Sequence, residues 1–193
     1  MKKLHLLLVV AASTCLFQAC QGNKDSKASA DSANMAKADS AKKDSMMMSV
    51  DKDDAKFATE AANGGIAEVA LGKLALTKTS NSQLKDFANM MITDHGKAND
   101  ELMAIAKTKN ITLPAAPDAE HQKKMDDLGK LSGTGFDKAY VKAMIDGHKK
   151  TLGLMQDEAK NGKDADLKAF AAKITPTVQM HLDAINKIHD SMK

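Results

Sequence analysis

Between residues 53 and 189, apolar and small side chains return at three- and four-residue intervals in four separate stretches. This spacing constrains the fold more than any other feature, because residues on that period share one face of a helix. The first stretch carries Phe57, Ala61, Gly64, Leu71 and Ala75. The second carries Leu84, Ala88, Met91, Ala98, Leu102 and Ile105; the third Tyr140, Met144, Leu152, Met155 and Ala159. The fourth carries Leu167, Ala171, Ile174, Val178, Ile185 and Ile188. β-Branched residues are scattered and never alternate over a useful length, so no strand is expected.

The pattern predicts helices over roughly 53–79, from Asn81 or Ser82 to about 109, over 136–160, and from 164 to the C-terminus with an interruption at Pro176. Each is about 40 Å long at 1.5 Å per residue. Pro114 and Pro117 stop the second helix, a short helix is expected over 118–131, and Ser132-Gly133-Thr134-Gly135 breaks the chain again. The first and last pairs have short connections and should form antiparallel hairpins. The connection between the second and third long helices exceeds twenty residues and can carry the chain back along the whole assembly. The expected fold is all-α: a ferritin-like four-helix bundle whose long central connection carries a short extra helix. Phe57, Phe87, Phe136 and Phe170 supply one aromatic ring near the start of each helix and should plug the bundle's ends.

Each seam has one polar interruption near its middle: Glu68, His95, His148 and His181. Helices of similar length packed side by side bring their midpoints to one level, so these four side chains should share a layer. Unpaired, such groups cost several kcal/mol in an apolar interior. Three arrangements satisfy them: a bound metal, a metal-free hydrogen-bonded layer, or a solvent-filled pocket. A carboxylate with three imidazoles suits a single Zn, Cu or Fe ion. Asp94, Asp146 and the Tyr140 hydroxyl are additional candidate ligands or outer hydrogen-bond partners. Met91 and Met144, each one turn before a seam histidine, are core or soft ligands for Cu(I). The ferritin diiron pattern needs a carboxylate three residues before a histidine. Ile92, Ile145 and Val178 occupy those places here. His121 and His189 do not join the pattern.

The first residues have a different character. Lys2 and Lys3 precede an apolar run, Leu4 to Ala12, that is too short for a permanent membrane span. It leads to Leu16-Phe17-Gln18-Ala19-Cys20. A small residue directly before Cys resembles a bacterial lipoprotein signal, and the following Gln21-Gly22-Asn23-Lys24-Asp25 resembles the Bacteroidetes type. The resemblance implies cleavage before Cys20 and lipidation of Cys20, with residues 1–19 as signal peptide. Plain secretion with cleavage near Ala19 is the alternative. Either way the expected address is the cell envelope, lipid-anchored to the outer membrane or periplasmic, with a membrane as partner. Cys15 leaves with the signal, so thiol catalysis and cysteine metal sites are not expected. Residues 20–50 are rich in Lys, Asp, Ser and Ala and read as a disordered tether, with a reach of roughly 30 Å. Met46, Met47 and Met48 near its end read as the greasy start of the folded domain, 51–193, or as a soft-metal cluster.

Composition removes other classes. Aromatic residues are 3% of the chain and there is no Trp, which disfavours base-stacking platforms. All 28 basic residues are Lys and the net charge is only +3, so bidentate recognition of phosphate or base edges is missing and no nucleic-acid partner is expected. No nucleophile elbow or phosphate loop is present.

A set of motifs points to a family. These are Phe57-Ala58, Ala61-Ala62-Asn63-Gly64-Gly65-Ile66-Ala67-Glu68-Val69, Leu71-Gly72-Lys73-Leu74-Ala75 and Asp86-Phe87-Ala88-Asn89-Met90-Met91-Ile92-Thr93-Asp94-His95-Gly96-Lys97-Ala98-Asn99. Phe136-Asp137-Lys138-Ala139-Tyr140-Val141, Asp146-Gly147-His148, and Pro176 with His181 complete the set. Together they resemble a family of exported bacterial proteins with a ferritin-like bundle, often labelled predicted outer membrane protein. The resemblance implies that fold and an envelope location, and no established activity. Two functions follow as expectations: a metal-binding envelope protein, or a non-catalytic interaction or stress module whose Glu/His layer is structural. No catalytic residue is assigned.

Overall fold

The computed structural model describes residues 25–41 and 50–192, and all regular structure among them is helical. The helices are α1 (Ser26–Ala41), α2 (Lys52–Lys78), α3 (Ser82–Thr108), α4 (Ala119–Gly129), α5 (Gly133–Asn161) and α6 (Ala165–Ser191). None of them is long and apolar enough to cross a membrane. The signal segment, Cys20 and Met46 to Met48 lie outside the described residues.

The boundaries follow the local chemistry. The Asp51, Asn81, Asp118 and Asp164 side chains each accept backbone N–H bonds at the starts of α2, α3, α4 and α6. Helix α3 ends with Asn110 in the left-handed region at φ 55°, and the Ile111 amide donates to the Ala106 carbonyl at 2.8 Å. Asn tolerates that conformation better than most residues, and the bond closes the helix end. Two local expectations are corrected. Helix α5 begins at Gly133, at φ +55°, so the glycine pair falls in the first turn and does not break the chain. Helix α6 continues through Pro176 without interruption.

Helices α2 with α3, and α5 with α6, form the two most extensive pairings. Contacts of α3 with α6 and of α2 with α5 close these pairs into a ring, and α4 lies against α2 and α5. Gly72 sets the α2–α3 approach: a Cβ there would come within 2.9 Å of the Ala88 carbonyl oxygen. The interior divides into two apolar clusters. One gathers Leu71, Leu84, Phe87, Met91, Phe136, Tyr140, Met144 and Ile185. The other gathers Phe57, Leu102, Met155, Leu167 and Phe170, with the Phe57 and Phe170 rings edge-on at 6.4 Å. On each of the four long helices the polar seam residue falls between the members of one cluster and those of the other.

The expected tether over residues 20–50 is also corrected, for residues 26–41. Helix α1 packs on α2 through a narrow seam of Ala30, Asn34 and Ala38, all buried. Asn34 donates to the Thr112 carbonyl at 2.9 Å and accepts from the Thr112 amide at 2.7 Å. Ser26 Oγ accepts from the Ala115 amide, and the Asp25 carboxylate from the Ala119 amide. Small side chains bury little apolar area, but they let two helix backbones approach closely. The side-chain bonds to the 110–119 segment supply the remaining hold.

Candidate metal centre

Glu68 projects from α2, His95 from α3, His148 from α5 and His181 from α6, and the structure brings the four together. All are buried, with relative exposures of 5%, 6%, 0% and 0%. The imidazole centroids form a near-equilateral triangle: 5.7 Å for His95–His148, 5.3 Å for His95–His181 and 5.4 Å for His148–His181. One nitrogen from each ring lies within 4.8 Å of the other two. Phe87 stands against two of the rings, 6.0 Å from His148 and 6.5 Å from His181.

Hydrogen bonds fix the tautomers of two of the rings. His148 Nδ1 donates to the Met144 carbonyl at 2.8 Å, one turn back in its own helix. That leaves Nε2 as the lone-pair nitrogen, and it is buried with no hydrogen-bond partner among the described residues. His181 Nε2 donates to the Asp94 carboxylate at 3.0 Å, across from α3. Its Nδ1 is the lone-pair nitrogen, likewise buried and unpartnered. Glu68 Oε2 stands 2.5 Å from His95 Nε2, but off the direction of a hydrogen bond, and Glu68 Oε1 lies 3.6 Å from His148 Nδ1. The Tyr140 hydroxyl is buried and unpartnered as well.

Protonation follows from burial and charge. Burial tends to raise the Glu68 carboxyl, but the neighbouring imidazoles, His95 foremost, outweigh it and hold the group well below the usual carboxylate range. Burial opposes charge on His95 too, yet the Glu68 carboxylate raises its proton affinity. Burial lowers His148 and brings His181 down to about 4, so both rings are neutral at pH 7. Burial and the Glu68 charge push the Tyr140 hydroxyl above its ordinary range.

These residues fit a metal. Unpartnered buried lone pairs are rare and costly, and here they sit on rings whose opposite nitrogens are anchored, as in metal-bound histidines. Nitrogens held at about 2.0–2.1 Å around a tetrahedral ion lie about 3.3–3.4 Å apart. Small ring movements close the remaining gap. Of the additional candidates, Asp94 serves as the outer acceptor for His181, and Tyr140 stays in the core near Glu68. Asp146 is at the surface, bonded to Lys142, and takes no part in the layer. Met91 and Met144 are buried in the apolar cluster beside the layer.

One polar cluster escaped the sequence reading. Asn63 donates to Asp118 Oδ2 at 2.7 Å and accepts from the Asp118 amide at 2.9 Å, while His121 Nδ1 meets Asp118 Oδ1 at 2.7 Å. The only local signal was Asp118 three residues before His121. Asn63 lies 55 positions upstream.

Comparison with solved structures finds similar folds. The chain is similar to a DUF305 fragment from Deinococcus radiodurans, with TM-score 0.64, 11% identity, and 72% of this chain and 97% of that one covered. It is also similar to CopM in its Cu(II)-bound form, with TM-score 0.63, 16% identity and coverage of 72% and 97%. The Cu(I)-bound form of CopM gives TM-score 0.61, 14% identity and coverage of 72% and 96%. No curated protein sequence matches it. The family model described as a domain of unknown function, DUF4142, matches residues 31–188, so the chain belongs to that family.

Proposed function

We propose that the protein binds one transition-metal ion, copper in the first place, between Glu68, His95, His148 and His181, and that it works in the cell envelope. The observation that carries this reading is the pair of buried lone-pair nitrogens, His148 Nε2 and His181 Nδ1, without a hydrogen-bond partner among the described residues, on rings that can each bring a nitrogen within 4.8 Å of the others. Once ligation has displaced any proton from His95, the three imidazoles with the Glu68 and Asp94 carboxylates total a formal charge of −2, which a divalent cation balances. Copper is favoured over zinc and iron because two similar structures are of a protein described as Cu(II)- and Cu(I)-bound. A bound ion of this kind would supply Lewis acidity or one-electron exchange. The chain's own part is to hold the donors, keep the site dry and orient His181 through Asp94. Storage, sensing or buffering of the ion suits a layer without an assigned catalytic base.

The ferritin-like arrangement is part of the proposal. Its support is the neighbour order: α2 beside α3 and α5, and α6 beside α5 and α3. That order arises when the connection between α3 and α5 carries the chain back along the bundle. Export and lipid attachment at Cys20 are proposed from the sequence of residues 1–25. Mass analysis of the mature N-terminus tests them, and a Cys20→Ser chain should lose the acyl mass.

Elemental analysis of untagged full-length protein tests the metal. One ion per chain is expected, with a melting temperature that falls on chelation. Empty protein that takes up no Cu(II) and melts unchanged would favour the other reading, a metal-free interaction or stress module. The Glu68–His95 contact is what speaks for that reading, since an ion pair closes half the layer alone. It leaves His148 and His181 unexplained.

A further inference from the structure

A cavity of about 470 Å³ opens between α2, α4 and α5. Of the four proposed ligands, Glu68 alone lines it; none of the three imidazoles does. The wall over Glu68 is thin. Gly147 presents no side chain, and a Cβ there would stand 3.5 Å from Glu68 Oε1. Gly64 also lines the cavity without a side chain, and a Cβ there would stand 4.0 Å from Thr151 Oγ1. Each of these glycines sits inside a helix, where Gly costs about 1 kcal/mol against Ala, and neither is needed for close backbone packing as Gly72 is. Met144, whose carbonyl orients His148, also lines the cavity. The rim mixes acids, such as Glu60 and Glu120, with Lys124 and Lys150. It therefore attracts neither sign strongly, and passage depends on ligand exchange at the floor.

We propose that this groove is the route by which the ion reaches the centre, with Glu68 receiving it from solvent and passing it to the three imidazoles. The proposal rests on the metal reading above. It assigns Glu68 two jobs: ligand in the loaded site and the one proposed ligand that meets the ion in this groove. It also assigns Gly64 and Gly147 the job of keeping the passage open.

Stopped-flow mixing of the full chain with aqueous Cu(II) tests it. Gly64→Leu and Thr151→Leu fill the groove from opposite walls and replace none of the proposed ligands. Gly153→Leu, at an open surface position with no neighbour within 4 Å, is the control. The two groove variants should take up the ion at least about tenfold more slowly than wild type, since a blocked route makes binding wait on an opening motion. Final stoichiometry should be unchanged and the control should match wild type. Uptake at the wild-type rate by both groove variants, each folded by circular dichroism, overturns the route and leaves the metal site standing. A wild-type chain that takes up no Cu(II) overturns both.

Discussion

Two polar clusters of nearly the same chemistry both reach the groove between α2, α4 and α5, and they are built on opposite principles. Around Asp118, a carboxylate, an amide and an imidazole satisfy one another: Asn63 both donates to and accepts from Asp118, and His121 meets the same carboxylate through its backbone and its ring. The cluster fastens α4 to α2, and none of its side-chain atoms is buried without a partner. The central layer also consists of acid and imidazole, but one nitrogen each of His148 and His181 is bonded and the other has no partner among the described residues. A polar group kept for stability ends with its partners satisfied. One kept for a ligand ends with them waiting.

The sharpest way to break this contrast is a His95→Ala, His181→Ala double variant. Cu(II) affinity, read by competition with a chromophoric chelator, should fall at least about 100-fold with the loss of two donors. Helix content should be retained, because the change removes polar atoms that gain little from the core. Affinity close to wild type would make the layer structural. Asp94→Asn is a finer cut. It keeps shape and removes the charge behind His181, and should weaken the ion by about 10–100-fold. Asn63→Ala should do the reverse: a loss of about 1–3 kcal/mol in urea denaturation, from stranded partners in the Asp118 cluster, with metal affinity unchanged.

A smaller effect concerns Glu158 at the end of α5. Its side chain is 6% exposed, folds over Gly162 and has an unpartnered oxygen. Burial first, then the Asp54 and Asp164 charges, raise its pKa from 4.5 to about 7. The folded chain thus holds a proton between those values that the unfolded chain has released. The stability this contributes is complete below pH 4.5 and is lost as pH rises through 7. Glu158→Gln should therefore raise stability at pH 8, by roughly 1–3 kcal/mol, and change it little at pH 4. Equal urea midpoints for variant and parent at pH 8 would remove Glu158 as a source of pH dependence.

The long helices were legible because a 3.6-residue period and good N-caps are local signals, and Asn81, Asp118 and Asp164 stand where those signals put them. The level of Glu68, His95, His148 and His181 was legible for the same reason: equal helices align their centres. Helix α1 was not. Its seam is Ala30, Asn34 and Ala38, too small to register as hydrophobic, and Asn34's partner Thr112 lies 78 residues away. Asp146 shows the opposite error. One residue before Gly147 and two before His148, it looked close to the site, but those two steps turn it to the outer face, where Lys142 takes it. The route past Glu68 depends on side chains from α2, α4 and α5 together, and no single stretch contains it.

Docking of α1 has a mechanical consequence. Only residues 21–24 separate Cys20 from Asp25, which is pinned at the start of α4. Stretched to the limit, that span covers at most about 18 Å, well short of the leash that composition suggests. A fatty anchor at Cys20 would hold the domain close against the bilayer with its orientation restricted. Lys27, two residues past Asp25, stands on the rim of the groove, so the opening above Glu68 would be kept near the lipid headgroups instead of sampling the periplasm freely.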